Sequence, residues 1–387
     1  MSSRPPAALG IVAAATLLLA ACSSADAKGP DWSPQPPFAG DGGGTAAPAL
    51  PGPPLSPGSQ PPTGSPSRPS GSPTPAGDPA VVAKHLSAPV GLVLLPDGTA
   101  LVGERTTGRI LRVKPSPGQP VETVRTISGL DTAGDGGLLD LALSPSYGED
   151  QLIFAYITTA HDNRVVAFTL TGPVTPVLTG IPRGTSGNTG RIVFGDDGEL
   201  YIGTGDADSP ANITDPHSLA GKVLRVSSIG KASSGASAIF ARGLSEVDGL
   251  CVDATTGAMI ATESRPASST DLVAQVTPGA LTPLGAPPLG SRVVGGCAVN
   301  GAVLYVASRD GQDLIGSPFD DRGNIATLGK WTPYEINKYG RLRSVVTAPD
   351  GALWLTTSNR DGHGKPIADD ERVVRIQPPS QAGASPA

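Results

Sequence analysis

The sequence predicts an all-β fold, a six-bladed β-propeller, on three observations. Two apolar alternating strands joined by a tight turn, usually followed by a third strand, recur six times between residues 79 and 378. Asp-Gly stands at the same place in three of the copies. Between alternating runs it is the strongest short hairpin signal, because both turn residues must tolerate positive φ. Helical signals are nearly absent, since Pro and Gly punctuate every stretch and no apolar 3.6-residue period lasts beyond two turns.

The first copy is Gly91-Leu-Val-Leu-Leu-Pro-Asp-Gly-Thr-Ala-Leu-Val-Gly-Glu104, followed by Gly108-Arg-Ile-Leu-Arg-Val113. The second runs Leu138 to Leu143, Gln151 to Thr158 and Arg164 to Leu170. The third is Gly190-Arg-Ile-Val-Phe-Gly-Asp-Asp-Gly-Glu-Leu-Tyr-Ile-Gly-Thr204, with Gly221 to Val226 behind it. Gly249 to Glu263 with Leu272 to Val276 makes the fourth, and Gly295 to Ser308 the fifth. The sixth is Leu342-Arg-Ser-Val-Val-Thr-Ala-Pro-Asp-Gly-Ala-Leu-Trp-Leu-Thr356, ending in Arg372 to Ile376. Copies recur about every 45–55 residues, the length of a four-stranded blade. Thr123–Ile127, Val177–Ile181 and Ile239–Ala241 fall where outer fourth strands belong, and Val81–Leu86 is placed to close the ring as outer strand of the last blade.

Ahead of the propeller, Arg4 and an apolar run from Ala7 to Ala21 fit a secretory signal peptide, residues 1–21, too short for a permanent membrane span. The run ends Leu19-Ala20-Ala21-Cys22, a lipobox pattern in which the Cys22 thiol takes the lipid. Ala25-Asp26-Ala27 offers the alternative, an ordinary cleavage site that would release a soluble protein. Residues 22–78 turn abruptly to Pro, Gly, Ser and Ala, too apolar-poor to offset ordering entropy, so a lipidated N-terminus on a disordered stalk is expected. Residues 379–387 form a similar tail. The expected setting is the outer face of a bacterial cell membrane, reached through the lipid anchor. A net charge of −6 leaves no basic stripe, which argues against a nucleic-acid partner. With Cys22 committed to lipid, Cys251 and Cys297 remain. Export permits a disulfide between them, two buried thiols being the other arrangement.

Several segments resemble the glucose/sorbosone dehydrogenase family, the soluble pyrroloquinoline-quinone (PQQ) sugar dehydrogenases. They are the third copy through Gly205-Asp-Ala207, Asp215-Pro-His-Ser-Leu-Ala-Gly-Lys-Val-Leu-Arg225, Val102-Gly-Glu-Arg-Thr-Thr-Gly-Arg109, Gly136-Gly-Leu-Leu-Asp-Leu-Ala-Leu-Ser-Pro145 and Thr356-Thr-Ser-Asn-Arg-Asp-Gly362. The resemblance implies a six-bladed propeller, PQQ and calcium as cofactors, and hydride transfer from a sugar hydroxyl assisted by a histidine base. Residue by residue, the base falls on Gly187, which cannot accept a proton, and two quinone-facing polar residues fall on Ser245 and Glu246. Arg309 takes the place of a cofactor-binding lysine, and Arg341 and Arg343 that of an arginine pair near the cofactor. Arg265, Pro266 and Asp271 match the calcium loop, two by backbone carbonyls and one by carboxylate. A carboxylate at 246 repels a tricarboxylate, and with glycine at the base position 187 no catalytic residue is assigned. The expectation is a diverged propeller that binds a glycan or an envelope protein. A dehydrogenase with a substitute base, Glu246 or His217, is the alternative.

Overall fold

The six copies form six antiparallel four-stranded sheets arranged as a propeller, seen in a computed structural model that describes residues 77–226, 238–264, 272–285, 293–319 and 328–378; at the Asp-Gly turns only the glycines, Gly98, Gly198 and Gly351, take positive φ. The signal segment, Cys22, the 379–387 tail and the calcium-loop positions Arg265, Pro266 and Asp271 lie outside the described residues.

Blade one comprises β2 (Pro89–Leu94), β3 (Ala100–Glu104), β4 (Arg109–Val113) and β5 (Glu122–Thr126) in that order. Blade two opens with β6 (Leu138–Leu143), blade three with β10 (Gly190–Phe194), blade four with β14 (Glu246–Val252), blade five with β18 (Val294–Asn300) and blade six with β22 (Leu342–Thr347). The sixth sheet is completed from the other end of the chain, as expected. β1 (Val81–Ala83) pairs antiparallel with β24 (Val373–Ile376) and closes the ring. The only described helices are single turns, Tyr147–Asp150 and Ala211–Thr214. No described helix is long and apolar enough to cross a membrane.

Three strands, two of them outer, are not assigned from sequence, for a physical reason. β17 (Ala280–Gly285) and β21 (Thr332–Tyr334) each contain a proline, and β20 (Asp313–Pro318) ends in one. Proline is tolerated at sheet edges and strand ends, yet in sequence it reads as a break.

The core is divided among the blade interfaces, because both faces of an inner sheet pack on a neighbour. Six apolar clusters result. Phe154 and Tyr156 of blade two meet Ile192 and Ile202 of blade three in one of them. In another, Val82 and Leu86 meet Val102 of blade one and Trp354 of blade six. Strands buried on both faces read as continuous apolar runs, as in Ala100-Leu-Val-Gly-Glu104. Glycines let neighbouring inner strands approach: a Cβ on Gly91 would lie 2.5 Å from the Leu141 amide nitrogen, and one on Gly249 would lie 2.8 Å from that of Cys297. Cys251 and Cys297 are bonded at 2.07 Å and join the inner strands of blades four and five.

The candidate functional site at the channel mouth

Inner strands all begin at one end of the central channel, and the loops after the second strands return there. This end, the mouth, gathers the charged residues. It is built by β-bulges, which add an unpaired residue and re-aim its side chain. In blade four Val247 pairs with Glu263 and Gly249 with Thr262, leaving Asp248 as the extra residue. In blade six Leu342 pairs with Thr357 and Ser344 with Thr356, leaving Arg343 extra.

Asp248 is nearly fully buried and holds three neighbours. Its Oδ1 is 2.8 Å from the Arg309 guanidinium, its Oδ2 accepts the Ser264 hydroxyl at 2.5 Å, and its carbonyl accepts Arg191 Nε at 2.6 Å. Arg309 also donates to the Val294 carbonyl. The other edge of Arg191 lies 3.6 Å from Asp140, whose second oxygen accepts the Ile192 amide. Burial raises the Asp140 pKa, with Arg191 opposing. Arg341 is buried too, held by Asp361 at 2.9 Å and by Asp310, while its amide donates to Asn359.

Two charged groups at the mouth have no partner among the described residues. Arg343 Nε is buried and unbonded. Burial, with Arg309, Arg191 and Arg105 nearby, pushes the Arg343 pKa down to about 9, Asp248 opposing. The Glu246 carboxylate makes no hydrogen bond or ion pair. Burial first, then Asp248, Asp135 and Asp206, push its pKa up to about 7, with Arg309 opposing. Asp206 accepts the Ser245 hydroxyl at 3.0 Å, and Asp135 accepts Asn188 Nδ2 at 2.6 Å.

Gly187 sits in this wall with φ of +65°. A Cβ there would lie 2.7 Å from Asp206 Oδ1 and 2.8 Å from the Asp208 amide, so the backbone is shaped for glycine. All four histidines, His85, His161, His217 and His363, are exposed, and none supplies a buried base. Below the charged layer lies a cavity of about 620 Å³, lined by Asp140, Arg191, Ser344 and Thr347 and by apolar side chains such as Leu92, Leu143, Phe194 and Val346. No group of three His, Cys, Asp or Glu residues positioned to hold a metal occurs among the described residues.

The family model for glucose/sorbosone dehydrogenases matches residues 86–281. The PQQ-bound aldose sugar dehydrogenase of Streptomyces coelicolor is 30% identical, with a TM-score of 0.68, over 77% of this chain and 96% of that one. A putative oxidoreductase (glucose dehydrogenase) from Thermus thermophilus is 31% identical with the same TM-score, over 76% and 98%. Quinoprotein glucose dehydrogenase B of Acinetobacter calcoaceticus is 30% identical over 148 residues, 33% of this chain and 30% of that enzyme's length. The chain belongs to the glucose/sorbosone dehydrogenase family.

Of the three arginines that the resemblance assigns to cofactor positions, Arg309 and Arg341 are paired with carboxylates of the same chain, while Arg343 Nε has no partner among the described residues. Glu246 and Asp248 add two interacting carboxylates to the same mouth. Two like charges at close range in a poorly solvated site cost several kcal/mol, so the donor set does not fit PQQ. Sequence reasoning weighed Glu246 and passed over Asp248. The available signal was an acid two residues after Glu246, at the start of an inner strand.

Proposed function

We propose that this chain is a lipid-anchored envelope protein whose sugar-dehydrogenase-like propeller is a diverged, non-catalytic module that binds a glycan or an envelope protein at the channel mouth. The observation that carries the reading is the internal neutralisation of Arg309 by Asp248, together with the unpaired carboxylate of Glu246. Both remove affinity for a polyanionic cofactor, and Gly187 leaves the family's base position without a titratable group. The lipobox at Cys22 and the stalk that follows support tethering outside the membrane. Full-length protein in detergent, supplied with PQQ and calcium, is expected to reduce no redox dye with aldoses and to show no micromolar cofactor binding by calorimetry. Robust cofactor-dependent dye reduction sinks this reading.

One observation favours a second reading, an active quinone-dependent aldose dehydrogenase. A carboxylate poised near neutrality has the pKa a general base needs, and Glu246 is such a group. That reading requires Glu246→Gln to abolish turnover measured in the wild-type protein.

A further inference from the structure

Among its charged groups, the mouth retains one buried donor without a partner, Arg343 Nε, and one carboxylate without a hydrogen bond or ion pair, Glu246, and these define a ligand. Arg343 Nε is buried without a partner, and leaving a buried charged donor unbonded costs more than a neutral one. A guanidinium edge in this state matches one carboxylate best, by geometry and by charge. Its surroundings then limit what else the ligand carries. Glu246 and Asp248 come from the fourth inner strand, Asp135 from the loop before β6, and Asp206 from the loop after the second strand of blade three. Arg309, Arg191 and Arg105 complete the charged ring, and all three are committed. Arg191 gives its Nε to the Asp248 carbonyl at 2.6 Å and lies 3.6 Å from Asp140. Arg309 is bound to Asp248. Arg105 donates to the Gly134 and Gly136 carbonyls at 3.1 and 2.8 Å. A second or third ligand carboxylate therefore meets carboxylates. Ligand hydroxyls, by contrast, meet acceptors.

On the binding-module reading above, we infer that the mouth takes a polyhydroxylated monocarboxylate, a sugar acid, with its single carboxylate on Arg343 and with Glu246 taking up a proton as it binds. The proton matters because an ionised Glu246 repels the incoming carboxylate, whereas the protonated acid donates a hydrogen bond. Glu246 titrates near pH 7 in the free protein, Asp248, Asp135 and Asp206 holding it up and Arg309 opposing. Binding that needs its protonated form is about tenfold weaker at pH 8 than at pH 6. The ligand carboxylate stays ionised throughout that range.

The test is calorimetric titration of full-length protein in detergent with glucuronate and with glucose, at pH 6 and pH 8. Glucuronate is expected to bind, glucose to fail, and glucuronate affinity to fall about tenfold at the higher pH. Glu246→Gln should flatten the pH profile, and Arg343→Met should abolish glucuronate binding while thermal melting shows the variant folded. If Arg343→Met does not fold, the wild-type comparison of glucuronate with glucose decides. Equal binding of glucose, pH-independent glucuronate binding, or no glucuronate binding overturns the inference. Glucose binding without turnover overturns it while leaving the binding-module reading in place. Cofactor-dependent dye reduction removes that reading as well.

Discussion

Glu246 is the residue on which site and stability meet. It is an acid whose pKa is raised in the folded protein to about 7 from 4.5. Between those values the native state binds more protons than the unfolded chain, so stability falls as pH rises through this window. Above pH 7 the full cost is present, at most about 3 kcal/mol. Glu246→Gln is therefore expected to raise the melting temperature at pH 8 and to leave it nearly unchanged at pH 4.5, read by thermal denaturation at both. Gly187 gives a second prediction at this scale. A histidine placed here by Gly187→His forces a side chain into a left-handed conformation against Asp206 and Asp208. The strain costs about 1–3 kcal/mol. Thermal melts should show that loss, and dye assays with PQQ and calcium should show no gained activity.

At the level of elements, the fourth and fifth inner strands are joined by more than packing. The Cys251–Cys297 bond closes a loop with a sequence separation of 46. By loop-closure entropy this stabilises the fold by about 4 kcal/mol. A Cys251→Ser, Cys297→Ser double variant should melt well below the wild type in non-reducing buffer. Reducing agent should lower the wild type toward it and leave the variant unmoved. Peptide mass spectrometry under non-reducing conditions checks the pairing directly, two free thiols being the contrary result. The bulges of blades four and six are the other decisive elements, since they turn Asp248 and Arg343 out of the strand ladder and into the mouth.

The whole molecule depends on ring closure by its first strand. Val82 and Leu86 are 3% and 6% exposed and pack with blades one and six. Deleting residues 79–86 is expected to cost at least about 4 kcal/mol in lost apolar burial. It also uncovers β24 as an open edge prone to self-association. Thermal melts together with size-exclusion chromatography read both effects. This closure was legible in the sequence, as were the six repeats, because strand alternation and Asp-Gly turns are local signals that need no partner to be recognised. The proline-bearing outer strands β17 and β21 were not, since only the sheet beside them shows that proline stands at an edge. The arginines 309, 341 and 343 could be named from sequence, and Glu246 marked as a reversal of charge. Which arginine is free was settled only by tertiary structure. Arg309 lies 61 residues from Asp248, and Arg341 reaches Asp310 across 31. A sequence determines which charges a protein carries and how its strands repeat. Which charges cancel is decided when blades far apart in the chain converge on one channel, where burial makes every pairing costly to omit.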